Sequence, residues 1–283
     1  MVMNCNPMFS LKTSVGRGTT GVAVSLVVLV VAAAPARAQS TCTYTKFTVG
    51  GNITAATSVN KYGTVVGSYN SNPANSNANA GFIRLASGSI HTFSVPGSSE
   101  TFIRRRNDQG VDVGVYTNKT GGHGFVQSGS TIETVNFPGA TSTDLWGIND
   151  FGTIVGVHDN GKGFELKSGK FTSIHFPNSV TTIPKAINNS GVIVGSYELT
   201  NGGPFHSFVL ANGTYKEVSF TANDINDNGE IVGGNKIFKN GTITTFAVPN
   251  AQEFTANGVS DTGEIVGSFN NNGHVGAFIR ICH

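Results

Sequence analysis

The chain has 283 residues, with 18 basic and 16 acidic groups, 12% charged residues and glycine at 37 positions. That near-neutral balance offers no basic surface for nucleic acid or anionic lipid. A charge-poor chain rich in glycine suits many short strands joined by turns and leaves little helix.

In chain order, residues 1–38 read as a signal peptide. Lys12 and Arg17 form a positive start, and "GVAVSLVVLVVAAA" is an apolar run of 14 residues, short for a membrane span. Ala36–Arg37–Ala38 then sets small residues at a cleavage site, so the mature chain is expected to begin at Gln39. Removal of Lys12, Arg17 and Arg37 leaves 15 basic groups against 16 acidic ones. The mature protein is expected to be exported (secreted, periplasmic or extracellular) as a monomer, with no membrane span after cleavage. Residues 39–283 are read as one domain.

Cys42 and Cys282 are the two cysteines of the mature chain and stand at its opposite ends. In an oxidising compartment the pair reads as one disulfide, with two free thiols as the alternative.

From Val59 onward one stretch recurs six times: "VNKYGTVVG", "RNDQGVDVG", "INDFGTIVG", "INNSGVIVG", "INDNGEIVG" and "VSDTGEIVG". Its first glycines, Gly63, Gly110, Gly152, Gly191, Gly229 and Gly263, are spaced by 47, 42, 39, 38 and 34 residues. After each copy comes a Phe-centred apolar segment such as "GFIRL" or "SFVLA", then a two-residue turn signal such as Ser168–Gly169 or Asn240–Gly241. An alternating strand follows and often ends in Pro-Gly or Pro-Asn. Each unit is thus four short strands, and a four-stranded unit of about 40 residues is a β-propeller blade. The continuously apolar second strand ("TIVG", "VIVG") fits a sheet covered on both faces. The insertion Asn70–Ala80 in the first unit reads as a surface loop.

The ends give the blade count. The last unit stops at "GAFIRICH" without an outer strand, and "YTKFTVGG" at Tyr44 matches the outer strand "IHTFSVPG" at Ile90. The expected fold is therefore all-β: a six-bladed β-propeller with four-stranded blades, closed by the N-terminal strand. That register brings Cys42 and Cys282 together across a hairpin position that lacks a covalent turn.

The tandem units, interleaved with "HGF" at His123 and "HSF" at His206, resemble the HAF family of extracellular repeat proteins. The resemblance covers nearly the whole mature chain and implies bacterial export and a repeated β fold. It transfers no activity and no catalytic residue.

The recurring polar groups are expected to be structural. Asp150 recurs as Asp108, Asp227 and Asp261, but Lys61 and Asn189 fill the same place, so a turn with local hydrogen bonds outranks a calcium loop. His123 and His206 lie two units apart, and ordinary surface histidines outrank metal ligands there. No nucleophile elbow or zinc motif occurs, and neither a metal nor a cofactor is expected.

Where the units differ is more informative, because structure repeats and a binding site is usually unique. In the strand ahead of the turn, one column reads Thr57, Arg105, Trp146, Lys185, Asn223 and Asn257. This strand is the first of its blade and should line the channel. An aromatic plane beside Arg, Lys and Asn donors suits a glycan or a small anionic ligand; plain solvated channel residues are the other reading. Arg104 and Arg106 complete an "RRR" run that either binds an anion or pairs with nearby acids. The expected class is a non-enzymatic exported binding module. The alternatives are a secreted hydrolase or lyase assembled from several blades and a purely structural cell-surface repeat protein.

Overall fold

The computed structural model describes residues 41–75 and 77–283. The expected signal peptide lies outside the described residues. Six four-stranded antiparallel sheets follow one another around a ring. The first strands, which line the channel, are Thr54–Val59, Glu100–Arg106, Thr143–Ile148, Thr181–Ile187, Asp224–Ile225 and Glu253–Val259. The sheets are called blades 1 to 6 in that order.

Blade 6 takes its outer strand, Cys42–Phe47, from the N-terminus. Cys42 stands directly opposite Cys282 in the antiparallel register, and the two are disulfide-bonded.

Packing explains the repeated residues. The third-strand phenylalanines Phe82, Phe125, Phe164, Phe208 and Phe278 are fully buried. Each sits in a cluster with apolar residues of a neighbouring blade; Phe125, for example, packs with Val66 and Val95 of blade 1. Burying such a ring stabilises by about 2–3 kcal/mol. The glycine ending "IVG" is required by a close approach. At Gly114 a Cβ would lie 2.0 Å from the Phe102 carbonyl oxygen and 2.9 Å from the Phe125 ring, which no side chain could tolerate.

The turn "INDFG" closes as a tight loop in which Gly152 N–H donates to the Asn149 carbonyl at 3.1 Å. Gly152 takes φ 74° there, a conformation glycine adopts without cost. The outer hairpins at Ser168–Gly169, Asn212–Gly213 and Asn240–Gly241 have positive φ at both residues, as a type I′ turn requires.

Candidate functional site

Each first strand except the short one of blade 5 carries a β-bulge where its pairing slips by one residue. The slip falls at Thr57, Arg104, Trp146, Lys185 and Asn257. Asn223 holds the same place in blade 5, immediately before the paired residues Asp224–Ile225. The member of this column in blade 2 is therefore Arg104, and the assignment of Arg105 to it is corrected. Arg105 belongs one step further on, in the column Ser58, Arg105, Gly147, Ala186, Asp224, Gly258. The spacing agrees: every other member of the column stands three residues before its turn Asn or Ser, and three before Asn107 is Arg104.

Half of the bulge column latches blades together. Thr57 Oγ1 donates to the Ile103 carbonyl of blade 2 at 2.9 Å. Asn223 Nδ2 donates to the Ala256 carbonyl at 2.9 Å, and Asn257 Nδ2 to the Ala56 carbonyl at 2.9 Å. In each case the acceptor is the residue before the bulge of the next blade. The other three members, Arg104, Trp146 and Lys185, occupy consecutive blades 2, 3 and 4 and are engaged differently.

Arg104 donates through Nε (3.3 Å) and Nη2 (2.7 Å) to the Asp144 carboxylate. Its guanidinium lies 4.3 Å from the Trp146 ring centroid, a cation–π stack. The Trp146 indole N–H is shielded from solvent and has no acceptor among the described residues. Lys185 Nζ donates to the Asn223 Oδ1 at 3.1 Å. No carboxylate among the described residues lies within ion-pair distance of it. Burial pushes the Lys185 ammonium below the ordinary lysine range.

All six predicted column residues, with Arg104 added, line one cavity of about 220 Å³. Its floor is Arg105, which crosses the channel from blade 2 to blade 5 and pairs with the buried Asp224. Arg105 also donates to the Asn223 carbonyl at 3.3 Å. Asp224 in turn accepts from the Ile225 N–H at 2.7 Å and the Val259 N–H at 2.8 Å. The small residues Ser58, Gly147, Ala186 and Gly258 in the same column leave room for this crossing. Arg106 faces away from the cavity and is held by the Asp112 carboxylate at 2.8 and 2.7 Å. Each member of the arginine run thus meets a different aspartate.

Beyond Arg105 the channel opens on the turn side, where the "IND" residues build two ladders. Asn107 Nδ2 donates to the Asn149 carbonyl, Asn149 Nδ2 to Asn188 and Asn188 Nδ2 to Asn226, each at 3.1 Å. Outside them, each turn N–H donates to the acid or amide of the next blade. Asp108 N–H meets Asp150 at 2.8 Å, Asp150 N–H meets Asn189 at 2.8 Å, and Asp227 N–H meets Asp261 at 2.8 Å.

The local turn bonds expected of this motif belong to Asn149, whose Oδ1 accepts from the Phe151 and Thr153 N–H groups at 3.1 and 2.9 Å. Asp150 acts between blades, a role sequence reasoning missed. Its signal was the recurrence of acid or amide at one place in five of the six units. Burial and the carboxylates of Asp227, Asp108 and Asp150 raise the Asp261 carboxyl above its ordinary value.

Among the described residues no His, Cys, Asp or Glu cluster is arranged to hold a metal ion. His123 sits 2.8 Å from the Thr120 hydroxyl and 3.2 Å from the Asn136 amide. His206 lies 3.2 Å from the Glu217 carboxylate.

No known family profile matches the chain, and no curated protein matches it. Solved structures do. TolB from Acinetobacter baumannii is similar at 13% identity and TM-score 0.52, over 81% of this chain and 64% of that one. The chain thus spans less than two thirds of TolB. A catalytically inactive virginiamycin B lyase from Staphylococcus aureus with quinupristin is similar at 16% identity and TM-score 0.49, over 84% and 85% of the two chains. A mutant of AofleA from Arthrobotrys oligospora is similar at 10% identity and TM-score 0.45, over 87% and 94%. At these identities the likeness is one of fold alone.

Proposed function

We propose that the protein is an exported binding module that holds a small anionic ligand, of the carboxylated-sugar kind, in the bulge-side cavity. One observation carries this reading. The bulge residues of blades 1, 5 and 6 are short polar groups that donate to a main-chain carbonyl of the next blade. Those of blades 2, 3 and 4 are the long side chains Arg104, Trp146 and Lys185, of which Arg104 and Lys185 reach the next blade through the side chains of Asp144 and Asn223 and all three line the cavity. Lys185 supplies a cation with no carboxylate partner, Arg104 and Trp146 a flat charged stack, and Asn223, Asn257 and Thr57 the polar rim. The carboxylates nearest the cavity, Asp144 and Asp224, are each paired with an arginine, which favours binding over acid–base catalysis.

The disulfide suits an oxidising compartment, and no helix among the described residues is long and apolar enough to cross a membrane. Export by the leader and the HAF-like repeats fit the same picture.

Titration with D-glucuronic acid is expected to shift Trp146 fluorescence, while neutral glucose leaves it unchanged. A charge-assisted hydrogen bond is worth about 1.5–3 kcal/mol, so Lys185→Met should weaken binding about tenfold to a hundredfold. The anion prefers the protonated ammonium. Affinity should therefore fall as pH rises through the depressed Lys185 pKa, at lower pH than for an ordinary lysine. The reading fails if no sugar acid or organic acid shifts fluorescence or melting temperature, or if Lys185→Met binds unchanged.

A further inference from the structure

Blade 5 is cut short on the face that carries the cavity. Its second strand, Ile231–Gly233, has three residues, whereas those of the other blades have five to eight. Gly233 pairs with Lys236, so the chain turns back directly after "IVG". In blade 2 the same hairpin runs on from Gly114 to the pair Asn118 and Gly121. The missing tip leaves a notch in the rim. Thr221, two residues before Asn223 on the channel face, is exposed, while its counterparts Ala55, Phe102, Asp144, Ile183 and Thr255 are half-buried.

A groove of about 600 Å³ fills the notch, with Phe205, His206, Glu217, Phe220 and Thr221 in its walls. Phe205 is 58% exposed. Glu217 is held by the Tyr197 hydroxyl at 2.8 Å and by His206. Thr221 lines the groove and Asn223, two residues further along the chain, lines the cavity.

We propose that this groove is a second subsite, and that the ligand is a short chain of sugar units. An acidic unit occupies the cavity and neutral units run out through the notch. The inference rests on the binding function proposed above and extends it. An exposed aromatic ring offers a flat apolar face to a pyranose, and the flanking hydroxyl and carboxylate take sugar hydroxyls. Glu217 also sets the charge pattern. A carboxylate in the groove repels a second acid there, so the favoured chain is acidic at one end and neutral along the rest.

Calorimetry with three probes tests this: D-glucuronic acid, a trisaccharide with a terminal glucuronate on two neutral xylose units, and trigalacturonic acid. The mixed trisaccharide should bind at least tenfold more tightly than glucuronic acid, and more tightly than trigalacturonic acid. Phe205→Ala and Thr221→Trp should each remove that gain and leave glucuronic acid affinity unchanged; both positions are exposed, so the fold should tolerate them. The subsite is overturned, with the cavity reading intact, if glucuronic acid binds and the trisaccharide binds no better, or if the gain survives both variants. Equal or tighter binding of trigalacturonic acid also overturns it. If none of the three binds, both proposals fall.

Discussion

Asp261 sits in the turn-side ladder of carboxylates, facing Asp227, Asp108 and Asp150 across the channel mouth. Its carboxyl titrates above the ordinary value because of burial and these like charges. A raised acid gives stability that is fully present below the unfolded pKa and lost as pH rises through the folded one. At neutral pH its charge is therefore a cost. Blade 4 shows the remedy: Asn189 Oδ1 accepts from the Asp150 N–H at 2.8 Å, as an aspartate would, and its Nδ2 donates to the carboxylates of Asp150 and Asp227 on either side. Asp261→Asn should thus stabilise the protein at pH 7 by about 0.5 kcal/mol, discounted for partial exposure. Melting temperature should rise by roughly 1–2 °C, and the gain should vanish near pH 3. A melting temperature lowered at pH 7 would contradict this. The repeat made it legible that acid or amide belongs at this place. It did not show that the partner is the next blade, because the two turns are about forty residues apart in sequence and adjacent only in the closed ring.

At the scale of the element, each of blades 1 to 5 depends on its turn asparagine twice. Asn149 is buried, caps its own loop with Oδ1 and reaches Asn188 with Nδ2. Asn149→Ala leaves the Phe151 and Thr153 N–H groups without their acceptor and takes one of two donors from the Asn188 carbonyl, and should cost about 2–4 kcal/mol. Asn149→Asp keeps the acceptor and removes the donor to blade 4, so its loss relative to wild type reports the inter-blade link and the further loss in Asn149→Ala reports the local cap. Thermal melts of both check it: an Asn149→Asp melting temperature equal to wild type would show that the link contributes nothing, and equal losses in the two variants that the cap does not.

Blade order and strand count were legible because the apolar alternation and turn signals repeat in register. The bulge was less so. Its residue in blade 2 is Arg104, three before Asn107 as in the other units, and not the expected Arg105; the side chains of Arg104, Arg105 and Arg106 then diverge. Their true registers are set by Asp144, Asp224 and Asp112, one of which lies on the far side of the ring. The 34-residue spacing of the last two turns belongs to the short blade 5, and the end at which it is short shows only in where its hairpin turns back.

The whole ring is closed inside blade 6, where the N-terminal strand pairs with the C-terminal one. The disulfide fastens residues 240 apart in sequence, and chain entropy alone sets its contribution at about 5 kcal/mol. A Cys42→Ala, Cys282→Ala double variant, or reduction of the native protein, should lower the melting temperature by roughly 10 °C. Amide exchange should quicken first in Cys42–Phe47. An unchanged melting temperature would mean that strand pairing alone holds the closure.

The main-chain N–H and turn-asparagine bonds of the turn-side ladders run one way, each blade donating to its successor, and both series stop at the same junction; the Asn189 side chain also donates back, to Asp150. To close them, blade 6 would have to give an amide hydrogen from Ser260 to Asn60 and find an acceptor on Lys61. Serine has no amide and lysine no acceptor. Every other junction uses interchangeable parts, a plug on one side and a socket on the other, so none of them specifies six. The ring has a beginning and an end written into its contacts.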